Sequence, residues 1–100
     1  KAIEFYGKAI ELGDQDVITF YNYGVCLMNV TNQAEAKNIF EKLISLDEKY
    51  SDAYYQLGII YIGLGNSAEA KELLQKFVEM DPENPNAQTA RNIIESLNSP

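Results

Sequence analysis

The sequence predicts an all-α fold, an α-solenoid of antiparallel helix pairs with about six helices. Residues 17–50 align with residues 51–84 without a gap, and this shift of 34 positions gives nine identities. Within each copy, apolar residues recur at helical spacing, and Gly, Asn or Pro residues interrupt the pattern. A fixed period of this length is the signature of a repeat architecture, in which neighbouring units bury one another's apolar faces.

The repeat also predicts how the chain is organised. Moving back one more period aligns residues 1–16 with residues 35–50, so the chain begins inside a further copy. We expect a single domain fragment over residues 1–100. It would consist, in order, of the second helix of a partial repeat (1–16), a full repeat (17–50), a second full repeat (51–84) and a C-terminal helix that caps the array or begins the next repeat (85–100).

Capping residues predict where helices begin. Asn32 precedes Glu35 by three positions and Asn66 precedes Glu69 likewise, which is the spacing of a capping box. In that motif both side chains bond backbone N–H groups that lack a partner at the helix start. Asn84-Pro85 predicts the start of the last helix, with Pro in its first turn.

Small residues predict where the helices of a pair come together. Gly24, Gly58, Ala36 and Ala70 remove side-chain bulk where two helices must approach within about 8–10 Å. Gly65 follows the apolar stripe of residues 51–64 and predicts a helix end, because Gly adopts positive φ readily.

Composition and charge exclude several classes of function. Fifteen acidic against eight basic residues give a net charge of -7, which repels nucleic acid. No stretch is apolar and long enough for a membrane span. The sequence contains no His, the commonest general base and nitrogen ligand, so we expect no enzyme, no metal site and no cofactor. Cys26 has no basic neighbour in sequence and predicts an inert filler; a single cysteine leaves the compartment open, slightly favouring the cytoplasm.

The repeated positions resemble those of the tetratricopeptide repeat family, over at least residues 1–84. In the last full copy the matching residues are Tyr54, Leu57-Gly58, Tyr61, Ala70, Leu74, Phe77 and Pro82. In the copy before it they are Phe20, Tyr23-Gly24, Leu27, Ala36, Phe40, Leu43 and Glu48, and in the partial copy Ala2, Tyr6 and Ala9. Leu43 and Phe77 stand where the family prefers a small Ala, and Glu48 where it prefers Pro. The resemblance implies a right-handed superhelix, with the first helix of each pair (helix A) on the concave wall and the second (helix B) outside.

The resemblance further implies a peptide-binding groove along the A helices. Its ligand-facing positions correspond to Tyr21, Asn22, Val25, Met28, Asn29, Asp52, Tyr55, Gln56, Ile59 and Ile62. Family members that clamp a C-terminal carboxylate place Lys, Arg and Asn here, whereas Tyr21, Tyr55 and Asp52 stand where the cations would be. Asp52 is also the only charged residue in either A helix. The sequence therefore argues against a carboxylate clamp.

Two functions remain open from these residues. The first is a protein–protein interaction module, a scaffold or adaptor, whose groove binds an apolar or weakly basic peptide segment of a protein partner. The alternative is a structural spacer or self-association segment of a longer solenoid with no peptide ligand, in which the same A-helix residues only pack on neighbouring helices. A non-catalytic domain tethered to an enzyme elsewhere in a longer chain is a third interpretation.

Self-association is predicted at the N-terminal end. Phe5, Tyr6, Ala9 and Ile10 belong to a B helix whose own A helix is missing, which leaves an apolar face open. We expect homo-oligomers to form through this face.

Overall fold

The chain folds into helices throughout the part that the structure describes. This computed structural model describes the backbone at residues 2–13, 16–29 and 32–98, with side chains from residue 6 onward in those ranges. The helices there are α1 (Ala2–Glu11), α2 (Val17–Asn29), α3 (Gln33–Leu46), α4 (Ser51–Gly63), α5 (Ser67–Met80) and α6 (Ala87–Asn98). No strand occurs in these ranges, so the predicted all-α class and helix number are confirmed. None of the described helices has the length and apolar character needed to cross a bilayer.

The helices form two compact units. The N-terminal unit, Lys1–Glu48, contains α1, α2 and α3, with α2 packed against both of the others. The C-terminal unit, Lys49–Pro100, contains α4, α5 and α6, with α5 packed against both of the others. The boundary lies close to the predicted repeat boundary between residues 50 and 51. The expectation of a single domain over the whole chain stays a prediction.

The core of the N-terminal unit forms where α2 crosses α3. Phe20 and Leu27 of α2 are buried, and Phe40 and Leu43 of α3 have no exposed surface. A Cβ atom placed on Gly24 would lie 2.6 Å from Phe40 Cζ, well inside van der Waals contact. The predicted close approach of the two helices is therefore confirmed, because only a residue without a side chain fits beneath the Phe40 ring.

The C-terminal unit repeats this arrangement with different side chains. Leu74 and Phe77 of α5 are fully buried beneath α4, and each contributes about 1.5–3 kcal/mol through removal of apolar surface from water. A Cβ atom on Gly58 would lie 2.8 Å from Leu74 Cγ. Ala87 and Ala90, the buried residues of α6, are small and therefore allow that helix to lie close to α5.

The end of α4 is closed by a Gly residue with positive φ. Gly65 has φ 83°, and its N–H donates to the Ile62 carbonyl at 3.1 Å. The Asn66 N–H donates to the Tyr61 carbonyl at 2.8 Å, which completes a Schellman motif. The predicted helix stop at Gly65 is confirmed. Gly13, with φ 97°, follows α1 in the same way.

The predicted capping boxes are wrong, although both helices begin where expected. Asn32 and Asn66 occupy the N-cap positions of α3 and α5, but neither side chain bonds a backbone N–H of the helix. In a capping box, the acid three residues later accepts the backbone N–H of the N-cap residue. Here the Asn66 N–H donates to the Tyr61 carbonyl, and the Asn32 N–H donates to the Leu27 carbonyl at 2.9 Å. The Asn32 side chain instead donates from Nδ2 to Glu35 Oε1 at 3.2 Å. The backbone N–H that a capping box requires is therefore already bonded to the end of the preceding helix.

The last helix begins later than predicted. Asn84 Oδ1 accepts the Asn86 N–H at 2.8 Å, so Asn84 does cap the segment. The Ala87 N–H then donates to the Asn84 carbonyl at 2.9 Å, which makes a tight turn that contains Pro85. Pro85 therefore lies in the turn before α6 and not in its first turn.

Candidate peptide-binding faces

The helix α2 has a partly exposed apolar face in addition to its buried one. The buried face consists of Phe20, Gly24 and Leu27. None of the groove positions predicted on α2 belongs to it: Tyr21, Asn22, Val25 and Met28 are half-buried and Asn29 is exposed. Residues at these positions lie on a different side of the helix from the core. The structure thus leaves this face of α2 partly open to solvent.

Tyr21 contributes to packing within the helix pair as well as to the open face. Its ring meets the Phe40 ring of α3 edge to face, with centroids 5.8 Å apart and an interplanar angle of 70°. Such aromatic pairs stabilise by about 0.5–1.5 kcal/mol beyond their burial. Tyr21 is therefore held in one orientation by α3 and presents only part of its ring to solvent.

The helix α4 carries the corresponding face in the C-terminal unit. Tyr55 packs on Phe77 of α5 with ring centroids 5.1 Å apart, as Tyr21 packs on α3. Gln56, Ile59 and Ile62 are half-buried, beside a buried face formed by Ala53, Tyr54, Leu57, Gly58 and Ile60. Within each unit, the structure brings its predicted positions together on one helix.

The single carboxylate of this set is already hydrogen-bonded. Asp52 Oδ1 accepts Asn84 Nδ2 at 2.9 Å, and the same amide donates to Asp81 Oδ2 at 2.9 Å. The Ser51 hydroxyl also donates to Asp81 Oδ2, at 3.0 Å. Asp52 therefore helps to join the start of α4 to the α5–α6 turn, a role that the sequence did not indicate.

One exposed apolar residue of this face escaped prediction. Ile18 is 58% exposed and precedes Tyr21, Val25 and Met28 at i, i+3, i+7 and i+10, so it extends the same stripe towards the start of α2. Ile18 is the repeat equivalent of Asp52, 34 positions earlier. Because Asp52 was a predicted groove position, the 34-residue alignment of the two repeats was the signal that could have identified Ile18 as well.

A side-chain hydrogen bond in the N-terminal unit joins α2 to α3, and α1 passes close to it. The Tyr23 hydroxyl donates to Glu35 Oε2 at 2.9 Å. The pKa of Tyr23 is raised, and burial of its hydroxyl is the largest cause. The hydrogen bond to Glu35 and the negative charges of Glu35 and Glu11 raise it further. A Cβ atom on Gly7 of α1 would lie 3.3 Å from the Tyr23 hydroxyl oxygen, so α1 passes close to this ring.

The predicted self-association face lies on α1. Tyr6, Ala9 and Ile10 are half-buried there, and the side chain of Phe5 lies outside the described residues. The repeat equivalents of Tyr6 and Ala9 in α3 are Phe40 and Leu43, which are fully buried.

The two faces present side-chain amides as well as apolar side chains. Asn22, Asn29 and Gln56 supply the amides, and Cys26 is half-buried beside them in the chain. Within the described ranges, no three His, Cys, Asp or Glu side chains lie close enough together to hold a metal ion.

Solved structures with this helix arrangement include three instructive cases. MamA is 25% identical over 95% of this chain and 54% of its own, with a TM-score of 0.87. YrrB, a TPR protein with an unusual peptide-binding site, is 28% identical over 90% of this chain and 46% of its own, with a TM-score of 0.82. The second TPR domain of human RPAP3, in complex with the HSP70 peptide SGPTIEEVD, is 23% identical over 98% and 79% of the two chains, with a TM-score of 0.84.

The chain spans about half the length of MamA and YrrB. No curated protein sequence matches it. The tetratricopeptide repeat model matches residues 32–94, which is more than half of the chain and includes both predicted repeat boundaries at 50 and 84. This chain belongs to the tetratricopeptide repeat family.

Proposed function

We propose that the chain binds apolar or weakly basic segments of partner proteins on the open face of α2 in the N-terminal unit and on the open face of α4 in the C-terminal unit, and that it catalyses no reaction. The tetratricopeptide repeat is the fold of protein–protein interaction modules. One observation carries the proposal. Besides its buried face, each of α2 and α4 has a half-exposed apolar face, and neither of these faces carries a basic residue.

The ligand chemistry follows from what these faces offer. Val25 and Ile59 provide apolar contact, while the Asn22 and Gln56 amides are able to bond a peptide backbone. Each buried apolar side chain contributes about 1.5–3 kcal/mol, against a cost of at least about 4 kcal/mol for lost rigid-body freedom. Two or three such anchors support only weak, reversible binding, with a Kd on the order of a millimolar.

Charge distinguishes this ligand from an acidic C-terminal peptide. The human RPAP3 domain was solved with a peptide ending in EEVD. Here α2 has no charged residue and α4 has only Asp52, in a chain of net charge -7. A peptide carrying several carboxylates would meet no cation on either face and would be repelled overall. The same net charge opposes nucleic acid as a partner.

A titration with two peptide probes tests the proposal. A Leu-, Ala- and Lys-containing peptide of about 12 residues should bind, and one of equal length ending in EEVD should not. Val25→Ser with Ile59→Ser should weaken the first peptide by at least about tenfold in calorimetric titration, because the open face of each unit loses an apolar anchor. Gln75→Ala, at an exposed position of α5, is the matched control and should leave binding unchanged. Equal affinity for the acidic peptide would contradict the proposed ligand class.

Self-association through α1 is the second candidate function, as in a structural segment of a longer solenoid. Tyr6 and Ala9 are half-buried where their equivalents Phe40 and Leu43 are fully buried, so a further apolar element would cover α1 favourably. Sedimentation equilibrium should show dimers, which Ile10→Asp should convert to monomers. A strict monomer at high concentration would exclude this role, and a dimer unaffected by Ile10→Asp would place the contact elsewhere.

A further inference from the structure

Each unit has a fully buried Phe on the B helix of its full repeat, and that Phe contacts the Tyr of the open face. In the N-terminal unit, the Phe40 ring of α3 meets the Tyr21 ring with centroids 5.8 Å apart and an interplanar angle of 70°. In the C-terminal unit, the Phe77 ring of α5 meets the Tyr55 ring with centroids 5.1 Å apart and an interplanar angle of 43°. Neither Phe has exposed surface. A side chain with no access to solvent therefore touches a predicted binding residue in each unit.

The two Phe residues occupy different positions of the repeat. The residue 34 positions after Phe40 is Leu74, and the residue 34 positions before Phe77 is Leu43. Phe and Leu thus exchange places between the two copies, one helical turn apart on helix B, and all four side chains are fully buried. The Tyr of each open face consequently meets its aromatic partner from a different turn of helix B.

The exchange alters the packing beneath the open face. A Cβ atom on Gly24 would lie 2.6 Å from Phe40 Cζ, whereas one on Gly58 would lie 2.8 Å from Leu74 Cγ. The aromatic ring therefore lies under the Gly of α2 in one unit, and an aliphatic side chain takes that place in the other. The interplanar angle between Tyr and Phe falls from 70° in the first pair to 43° in the second. Two Tyr residues at the same repeat position are thus held in different orientations relative to the ring that supports them.

We propose that Phe40 and Phe77 are positioning residues for peptide binding, each of which holds its Tyr in the orientation that contacts the peptide. Neither Phe touches the ligand. Immobilising a side chain on binding lowers affinity, because the side chain loses rotamer freedom. A Tyr that a buried ring already holds has lost that freedom on folding, which preserves about 2–10-fold in affinity. This inference rests on the proposed function, and it identifies buried residues that determine the affinity of each open face.

A proton NMR titration of the full chain with the Leu-, Ala- and Lys-containing peptide tests this role on α4. Every variant in this series carries Val25→Ser, which weakens the α2 face, so that binding reports on the α4 face. Phe77→Leu introduces the side chain that Leu43 supplies at the equivalent position, so the unit should keep its circular dichroism spectrum. The peptide should bind about 2–10-fold more weakly, and the Tyr55 ring-proton signals should shift because the adjacent aromatic ring is lost.

The α2 face has the corresponding test. Phe40→Leu introduces the side chain that Leu74 supplies in the other unit, and Ile59→Ser weakens the α4 face in the same chain. The peptide should again bind about 2–10-fold more weakly, with a shift of the Tyr21 ring-proton signals.

Three companion variants separate positioning from a general loss of packing. In a Tyr55→Leu background, which keeps an apolar anchor, Phe77→Leu should change affinity by less than about twofold, because the residue that it positions is absent. Leu74→Phe with Phe77→Leu places the ring where Phe40 stands in the other unit, and it should recover most of the lost affinity. Ile60→Val is the matched control, since it removes a fully buried methylene group from α4, and it should leave affinity within about twofold.

The outcomes separate this role from the wider proposal. Unchanged affinity in either Phe→Leu variant, no recovery by Leu74→Phe, or an equal loss in the Tyr55→Leu background or in the matched control would overturn the positioning role. If Val25→Ser with Ile59→Ser weakens binding while Phe77→Leu does not, the positioning role fails and the open-face proposal stands. If the wild-type chain does not bind the peptide, both fail. Should Phe77→Leu unfold the unit, Phe77→Met fills the site without a ring, and the same outcomes apply.

Discussion

Replacing Gly24 by Ala tests the crossing of α2 and α3. The added Cβ atom would lie 2.6 Å from Phe40 Cζ and 2.7 Å from Phe40 Cε2, whereas carbon atoms prefer about 3.5–4.0 Å. The Phe40 ring has no exposed surface, so it cannot move aside into solvent. Such overpacking costs about 1–3 kcal/mol, and Ala recovers about 0.8–1.0 kcal/mol through its higher helix propensity. We expect a net loss of about 1 kcal/mol in the free energy of unfolding.

Urea unfolding followed by circular dichroism measures this loss, and a double-mutant cycle identifies its cause. Phe40→Ala removes the ring atoms that the new Cβ would strike, and its own cavity loss cancels in the cycle. In the Phe40→Ala background, Gly24→Ala should become neutral or stabilising, with a coupling energy of about 1–3 kcal/mol. If Gly24→Ala stabilises the wild-type chain, or if the coupling is near zero, the close approach does not limit this position.

Three further perturbations follow from the contacts. The raised pKa of Tyr23 favours its protonated form in the folded state, so the free energy of unfolding should fall as pH rises above about 10; Tyr23→Phe should show a smaller fall in thermal melts at pH 9 and 11. Asn84→Asp keeps the cap acceptor but places another carboxylate against Asp52, so it should lose about 1–3 kcal/mol at pH 7 and recover part of that at pH 4 in paired urea titrations. Gly65→Ala should lose about 1 kcal/mol at φ 83°, while Gly65→Asn, which tolerates this conformation, should lose less; equal losses would contradict the positive-φ explanation.

The period of the sequence was sufficient to predict the helix pairs. Gly24 and Gly58 occupy the same place in successive copies, and both lie under a buried side chain of helix B. The same packing constraint acts in each copy of a repeat. A Gly at the same position of both copies therefore indicates that helix A and helix B approach closely in both. Leu43 and Phe77, where the family prefers Ala, are fully buried, and they show that the same crossing accepts larger side chains on helix B.

The capping boxes could not be predicted correctly from spacing alone. Asn32 and Glu35 have the right separation, but the Asn32 N–H is used by the end of α2. The backbone N–H of the N-cap residue is available for a capping box only if the preceding turn does not use it. The spacing of Asn and Glu contains no information about that turn. The same limit applies to Asn84, whose bond to Asp52 joins residues 32 positions apart in the chain.

The sequence by itself determined the family, the helix pairs and the absence of basic residues from α2 and α4, because periodicity and residue type suffice for these. Only the tertiary structure decided which side chains of those helices remain partly open. Tyr21 and Tyr55 are drawn onto Phe40 and Phe77, while Ile18 stays exposed. The exposure of a side chain depends on which neighbouring helix covers it. The tertiary fold places that helix, and the position of the residue in the sequence does not reveal it.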